Sequence, residues 1–376
     1  MRFNFDQGTE RFAGFADAAA RAGETARVVT AEFLTTDDGD RLFSRAEQLY
    51  AFLAARAPAP IPAPSQIDHM CAFFHRSGAV DVFVNEPGFT ALTQVKTSVV
   101  AGAPVMSDQV SDVVSMVPSG VAIPADAGHF VLFSHGWRKA VVYDFGAASD
   151  AGGPSAALGL KLGAAFSYLL GRSRFTISEE AWQRLLEQRW FPFIGLPAEL
   201  LHEMIAHAEA GWSVDDLLPR LSFNTRTRLP AIGNLVKTAP TLERHRKVIE
   251  QAFGAFDRSD YALVTAALLP RVEGIIRERH ANRGAGRASQ TALVETVGKS
   301  GSHTFSLMLP RRLATYLEEV FFGPEDFTDP ARVRNVTRHA VAHGVVSDGL
   351  LGEKEATLAV LLVEQLTFLM GRQENP

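Results

Sequence analysis

The sequence predicts an α+β protein: an N-terminal mixed α/β domain with a mainly antiparallel sheet, followed by an all-α helical bundle. Three observations carry this. Short runs rich in Val, Phe and Tyr, bounded by turn residues, recur between residues 67 and 146. After about residue 172 the apolar residues return at helical spacing instead. The run from Glu353 to Met370 is apolar on most of its circumference, which suits a helix at the centre of a bundle. A chain of 376 residues, 47% hydrophobic and 21% charged, can bury ordinary globular cores in two or three domains of about 100–200 residues each. We divide it into an α/β domain over 1–172, suited to sensing or substrate positioning, a helical connector over 173–239 and a helical domain over 240–376.

Taken in order, Phe3, Phe5, Phe12 and Phe15 open the chain, Val28 to Leu34 reads as a strand, and Asp40 to Arg56 reads as a helix. The alternating prolines of residues 57–64 favour an extended spacer. Strands follow at Met70 to Phe74, Val80 to Val84 and Leu92 to Val100. His129 to Phe133 and Lys139 to Phe145 then form a hairpin turning at Ser134-His135-Gly136-Trp137. A Gly, Ala and Ser-rich break at 146–153 leads into a helix from Pro154 to Leu170. Further helices are expected at 178–191, 197–210, 213–221, 240–256, 260–280, 289–299 and 309–322, with Pro270 kinking the fifth or marking its start.

Composition narrows the function. Cys71 is the single cysteine, so no internal disulfide can form, and its apolar neighbours Phe73 and Phe74 suit a packed thiol better than a nucleophile. Residues 1–27 lack the basic start and continuous apolar core of a secretory signal, and no run approaches the about 18 apolar residues of a membrane span. The expectation is a soluble cytoplasmic protein without a membrane partner. A net charge of −5 argues against wholesale nucleic-acid coating, whose affinity comes from clustered cations. From Arg271 to Arg338, however, 11 Lys and Arg stand against 8 Asp and Glu, so a local basic site is possible.

The densest cluster of cations and imidazoles is Arg334-Asn335-Val336-Thr337-Arg338-His339-Ala340-Val341-Ala342-His343-Gly344. Thr328 or Asp329 can cap a helix here, Pro330 suits its first turn, and Gly344 stands where a left-handed residue would close it. On such a helix Val333, Val336, Ala340 and Val341 form a buried stripe. Asn335, His339 and His343 then fall on one row, with Arg334 and Arg338 on the adjacent one.

This arrangement resembles the HEPN superfamily, whose RNase members carry an Arg-x(4 to 6)-His motif near the end of a late long helix. It resembles most the bacterial group of uncharacterised domains marked by Arg-Asn-x-x-x-His-Gly. The motif maps to Arg338 through Gly344, with His339 in place of the usual Asn. An overlapping copy, Arg334 to His339, keeps the Asn but lacks the Gly. The likeness covers roughly residues 240–372 and includes an upstream segment, Leu268 to Arg277, in which Glu273 aligns with an acidic position.

The resemblance implies a metal-independent endoribonuclease, active as a homodimer, that serves antiviral defence or a toxin–antitoxin system. RNA would be its substrate, no cofactor or metal would be needed, and an antitoxin or a phage-derived trigger would control it. The residue chemistry suits that reaction. An imidazole titrates near neutral pH and can take a 2′-hydroxyl proton, while a guanidinium matches phosphate oxygens. Arg338 and His343 would carry catalysis with His339 assisting, Arg334 and Asn335 would contact the substrate, and Glu273 would hold Arg338 or pair with Arg277 four residues on. Five helical residues turn through about 140°, so Arg338 and His343 converge only through a long side chain and a loosened helix end.

Plainer readings exist for the same residues. Arg334 and Arg338 can serve surface ion pairs while His343 bonds a terminal carbonyl. The bundle can equally be a non-catalytic HEPN-like module that holds a nucleotide, RNA or protein. His339 and His343 stand at metal-ligand spacing but lack a nearby third ligand. His202-Glu203-Met204-Ile205-Ala206-His207 has one residue too many for a zinc-protease helix, and Gly298-Lys299-Ser300 lacks the first glycine of a phosphate loop.

Overall fold

The computed structural model describes residues 1–4, 12–124, 127–146, 153–284, 286, 288–323 and 333–370. The protein is α+β, with the antiparallel sheet in its N-terminal half and helices in its C-terminal half. It forms two compact units. An α/β unit comprises residues 1–94, 112–172 and 302–305, and a helical unit comprises 95–111, 173–301 and 306–376.

The strands are β1 (Arg2–Asn4), β2 (Phe15–Ala16), β3 (Val28–Val29), β4 (Ala31–Thr35), β5 (Met70–Phe74), β6 (Ala79–Val84), β7 (Gly88–Val95), β8 (Val110–Ser119), β9 (Gly128–His135) and β10 (Arg138–Asp144). Six of them build one antiparallel sheet in the order β1-β6-β5-β9-β10-β4. Both faces of its centre are covered, which is why β5 and β9 read as continuous apolar runs rather than alternating ones. On one face Met70, Ala72, Phe130, Leu132, Val141 and Tyr143 pack with Leu42, Leu49 and Leu53 of helix α1 (Gly39–Ala54). On the other, Cys71, Phe73, Val131, Phe133, Ala140 and Val142 pack with Leu158, Leu162, Ala165 and Leu169 of α2 (Gly153–Leu170). Burial pushes the Cys71 thiol up to about 12, so it packs as a small hydrophobe.

The structure differs from the sequence reading at several elements. The strand expected over Leu92 to Val100 is β7, which ends at Val95. Its partner β8 was not expected, because Ser111, Asp112 and Ser115 break the apolar run. The Phe5 position and most of the 146–153 break lie outside the described residues.

The helical unit contains α3 (Arg172–Phe175), whose first residue is grouped with the α/β unit, then α4 (Glu179–Glu187), α5 (Ala198–Ala210), α6 (Leu218–Thr238), α7 (Arg246–Asp257), α8 (Tyr261–Asn282), α9 (Gln290–Gly298) and α10 (Pro310–Tyr316). After α10 come a π-helical turn (Leu317–Phe321), the short α11 (Arg338–Ala342) and α12 (Glu353–Met370). Every residue of α12 from Ala356 to Met370 is buried. It packs on α8 and α6 and is the unit's central post.

Polar groups on α12 pin the loop before α5. The Gln365 carboxamide accepts from the Ile194 N–H at 2.7 Å and donates to the Met308 carbonyl at 2.8 Å. Glu364, 5% exposed, takes a bidentate pair from Arg228 of α6 at 2.7 and 3.0 Å. Gly195 is required here, since a Cβ on it would stand 2.0 Å from the Glu364 carboxylate. Helix α6 continues without a break past Asn224, Thr225, Thr227 and Pro230, all weak helix formers, well beyond the segment expected to end near residue 221. Burial of Leu221, Thr225, Leu229, Ile232 and Val236 and the Arg228–Glu364 pair override that preference.

Candidate functional site

The cluster singled out in the sequence lies where α11 packs on α8. α11 is five residues long and begins at Arg338. Thr337 caps it: its backbone is extended, and its hydroxyl accepts from the Ala340 N–H at 3.1 Å. Residues 333–337 are not helical. Val333, Val336 and Thr337 are buried, and the Val336 carbonyl accepts from Arg189 Nη2 at 2.6 Å instead of joining a helix. The expected row of Asn335, His339 and His343 therefore does not form. Arg334 and Asn335 are exposed and precede the helix, while Thr328, Asp329 and Pro330 lie outside the described residues.

The C-terminal end follows expectation. His343 is the C-cap, and Gly344 takes φ +66°. The Gly344 N–H bonds the Val341 carbonyl and the Val345 N–H bonds the Ala340 carbonyl, both at 3.1 Å. This is a Schellman closure, and open space around Gly344 means that backbone conformation, not crowding, calls for glycine. His343 is exposed at this end.

Beneath α11, Glu273 of α8 is 4% exposed. Its Oε2 pairs with Arg338 Nε, and its Oε1 accepts from Arg277 Nε at 2.7 Å. The two pairings weighed for Glu273 coexist on the two oxygens of one carboxylate. Arg338 is anchored on a second side, donating from Nη1 to His339 Nδ1 at 3.3 Å. His339 is half-buried, tilts against Phe322 at 6.2 Å between ring centroids, and lies 3.4 Å by Nε2 from Gln290 Oε1. Burial foremost, then the Arg338 cation, lowers the His339 pKa, with Glu273 acting in the opposite direction. His343 also acts on His339 electrostatically, so Glu273, Arg338, His339 and His343 share one electrostatic neighbourhood.

Three contributors were missed by the sequence reading: Gln290, Phe322 and Arg189. Gln290 opens α9, 49 residues before His339, and no periodicity relates the two. Arg189, at φ +62°, ties the Val336 carbonyl to the Val320 carbonyl of the π-turn. The discounted motifs are engaged elsewhere: His207 Nδ1 stands 2.9 Å from the Ser213 carbonyl, Glu203 pairs with Arg220, and Gly298 ends α9. Among the described residues no group of three or more His, Cys, Asp or Glu is placed to share a metal ion.

The cluster offers a guanidinium paired with a buried carboxylate, an imidazole at an exposed helix end, and a second imidazole in contact with the guanidinium. A phosphate is the complementary ligand by charge and geometry. Comparison with protein-family models, curated proteins and solved structures found no match to the chain.

Proposed function

We propose that the protein is a HEPN-like, metal-independent RNA endonuclease acting through Arg338 and His343. The observation that carries the reading is that Arg338 and His343 stand at the two ends of one short helix closed by Gly344, in one electrostatic neighbourhood with His339. The Glu273–Arg338 ion pair is one of the two contacts weighed for Glu273, and it joins residues that spacing alone could not have brought together.

In this reading His343 takes the proton of a ribose 2′-hydroxyl. The 2′-oxygen bonds to the adjacent phosphorus, and the bond from phosphorus to the 5′-oxygen breaks. The 5′-oxygen leaves with a proton, and the products are a 2′,3′-cyclic phosphate and a 5′-hydroxyl. Arg338 stabilises the charge on the non-bridging oxygens, where a fixed cation is most effective. Arg334 and Asn335, exposed just ahead of the helix, contact flanking nucleotides. A second copy in a homodimer supplies the group that protonates the leaving oxygen. Such an enzyme in antiviral defence or a toxin–antitoxin pair is held in check by an antitoxin or released by a phage-derived trigger.

A second reading has one observation in its favour. Glu273 neutralises Arg338, which suits a non-catalytic module that binds RNA or a nucleotide weakly at this flank. Incubating the purified protein with mixed RNA in excess chelator separates the two. The endonuclease reading expects cleavage by the wild type and a loss of about 100-fold or more in Arg338→Ala and His343→Ala. Retained RNA binding without product favours the module, and cleavage that chelator abolishes or that Arg338→Ala leaves intact rejects the assignment.

A further inference from the structure

The contacts around His339 assign its protonation state and, with it, a role for Gln290. The role given to Gln290 rests on the reading of Arg338 as the phosphate-binding group. Gln290 faces the Phe322 carbonyl at 3.3 Å, and a carbonyl oxygen only accepts, so the amide nitrogen is the atom on that side. Gln290 Oε1 is thereby the atom 3.4 Å from His339 Nε2, and because an amide oxygen only accepts, the His339 proton sits on Nε2. Nδ1 is left as a lone pair facing Arg338 Nη1, which only donates, at 3.3 Å. The polarity agrees at every link, each donor meeting an acceptor from the guanidinium through the imidazole and the carboxamide to the Phe322 carbonyl.

Gln290 is well placed for this. It is the first residue of α9, whose N-cap Ser289 accepts from the Ala292 N–H at 3.2 Å, so its backbone is fixed by the helix start. On the other side of the guanidinium, Nε stands in an ion pair with Glu273 Oε2 without a hydrogen bond between them, and among the described residues Nη2 has no protein partner.

We propose that Gln290 and His339 form a positioning relay that, together with Glu273, holds the Arg338 guanidinium by Nε and Nη1 and presents Nη2 to the scissile phosphate. His339 is then a neutral hydrogen-bond acceptor and not a proton carrier. The assisting role expected of His339 from the sequence thereby becomes that of a positioning residue, and His343 alone transfers the proton in this copy of the site. The relay also gives the site a pH limit. A proton on His339 Nδ1 would turn an N–H toward Arg338 and break the contact. The charged groups facing His339 are Arg338 and His343 from α11 and Glu273 from α8, whose other oxygen is held by Arg277. Burial foremost, then the Arg338 cation, favours the neutral form, and Glu273 opposes them.

The test uses the full-length protein labelled with [15N]histidine, with His339 assigned by the signal lost in His339→Asn. Long-range 1H–15N spectra of the wild type at pH 7 should show His339 as the neutral Nε2–H tautomer. Gln290→Ala should erase that tautomer preference and lower kcat for RNA cleavage on the order of tenfold with KM within about twofold, as expected for one lost orienting hydrogen bond. Gln290→Glu, nearly isosteric, should raise the pH at which His339 protonates and carry the acid limb of the activity profile up with it, which a merely structural role would not do. His339→Asn retains an acceptor for Arg338 and should keep more activity than His339→Ala. A wild-type Nδ1–H tautomer, or a His339 signal unmoved by both Gln290 substitutions, overturns the relay. If the wild type cleaves no RNA, the endonuclease reading fails, while the tautomer spectra still decide the relay.

Discussion

Glu273 is a buried carboxylate shared between two guanidinium groups, and the behaviour of the site turns on that sharing. The Arg338 and Arg277 side chains are 25% and 48% exposed, so solvent screens both pairs and neither is worth the full value of a buried bridge. Glu273→Gln, which keeps the shape and removes the charge, is therefore expected to lower unfolding stability by only about 1–2 kcal/mol, read from urea midpoints. RNA cleavage should fall at least tenfold in the same variant, because Arg338 loses its fixed orientation. A large stability loss with unchanged cleavage would make Glu273 purely structural. Residue pairs of this kind were only half legible beforehand. The Glu273–Arg277 contact follows from helical spacing, whereas the contacts of Arg338 with Glu273 and of His339 with Gln290 join residues far apart in the chain. The first came from resemblance, and the second from nothing in the sequence.

α11 and α12 show how much an element's ends and neighbours decide. Gly344 was legible because a helix stop that needs positive φ selects glycine, and its φ is +66°. The start was misread. Thr337 is as good a cap as Thr328 or Asp329, and only the burial of Val333 and Val336, with Arg189 on the Val336 carbonyl, accounts for residues 333–337 staying outside the helix. The run of α12 was plain from its apolar circumference, but its two polar residues carry information that hydropathy cannot give. Glu364 neutralises Arg228, and the pair explains why α6 persists through Pro230 and why residue 195 is glycine. Glu364→Ala leaves a guanidinium 23% exposed without its carboxylate and should cost about 3 kcal/mol or more of stability. Calorimetry would show this as a lowered Tm, and an unchanged Tm would mean that the pair contributes little to holding α6.

For the molecule as a whole, the α+β division was legible because the period of the hydrophobic pattern changes near residue 172. The β7–β8 ribbon was only half legible, since the polar residues of β8 hide a strand that pairs with β7 alone. No helix among the described residues is long and apolar enough to cross a membrane. Stability should depend on pH through the α/β unit. His129 in β9 is 2% exposed, and burial, reinforced by the Lys161 cation, pushes its pKa down to about 4 from 6.5. Between those values the unfolded chain binds a proton that the folded chain does not, so stability falls as pH drops from about 6.5 to about 4 and returns as pH rises. The shift corresponds to about 3 kcal/mol for this group. His129→Phe should flatten that part of the pH profile in urea titrations compared with wild type. Identical slopes for the two proteins would show that His129 titrates normally when folded.

The claim on which the functional account depends is that Arg338 and His343 act on one phosphodiester through its own 2′-hydroxyl. Identifying the termini of RNA fragments made by the purified protein in excess chelator tests it most directly. The account predicts 2′,3′-cyclic phosphate and 5′-hydroxyl ends, absent from the Arg338→Ala and His343→Ala reactions. Fragments bearing 5′-phosphates, or cyclic ends produced equally well by those two variants, would contradict it.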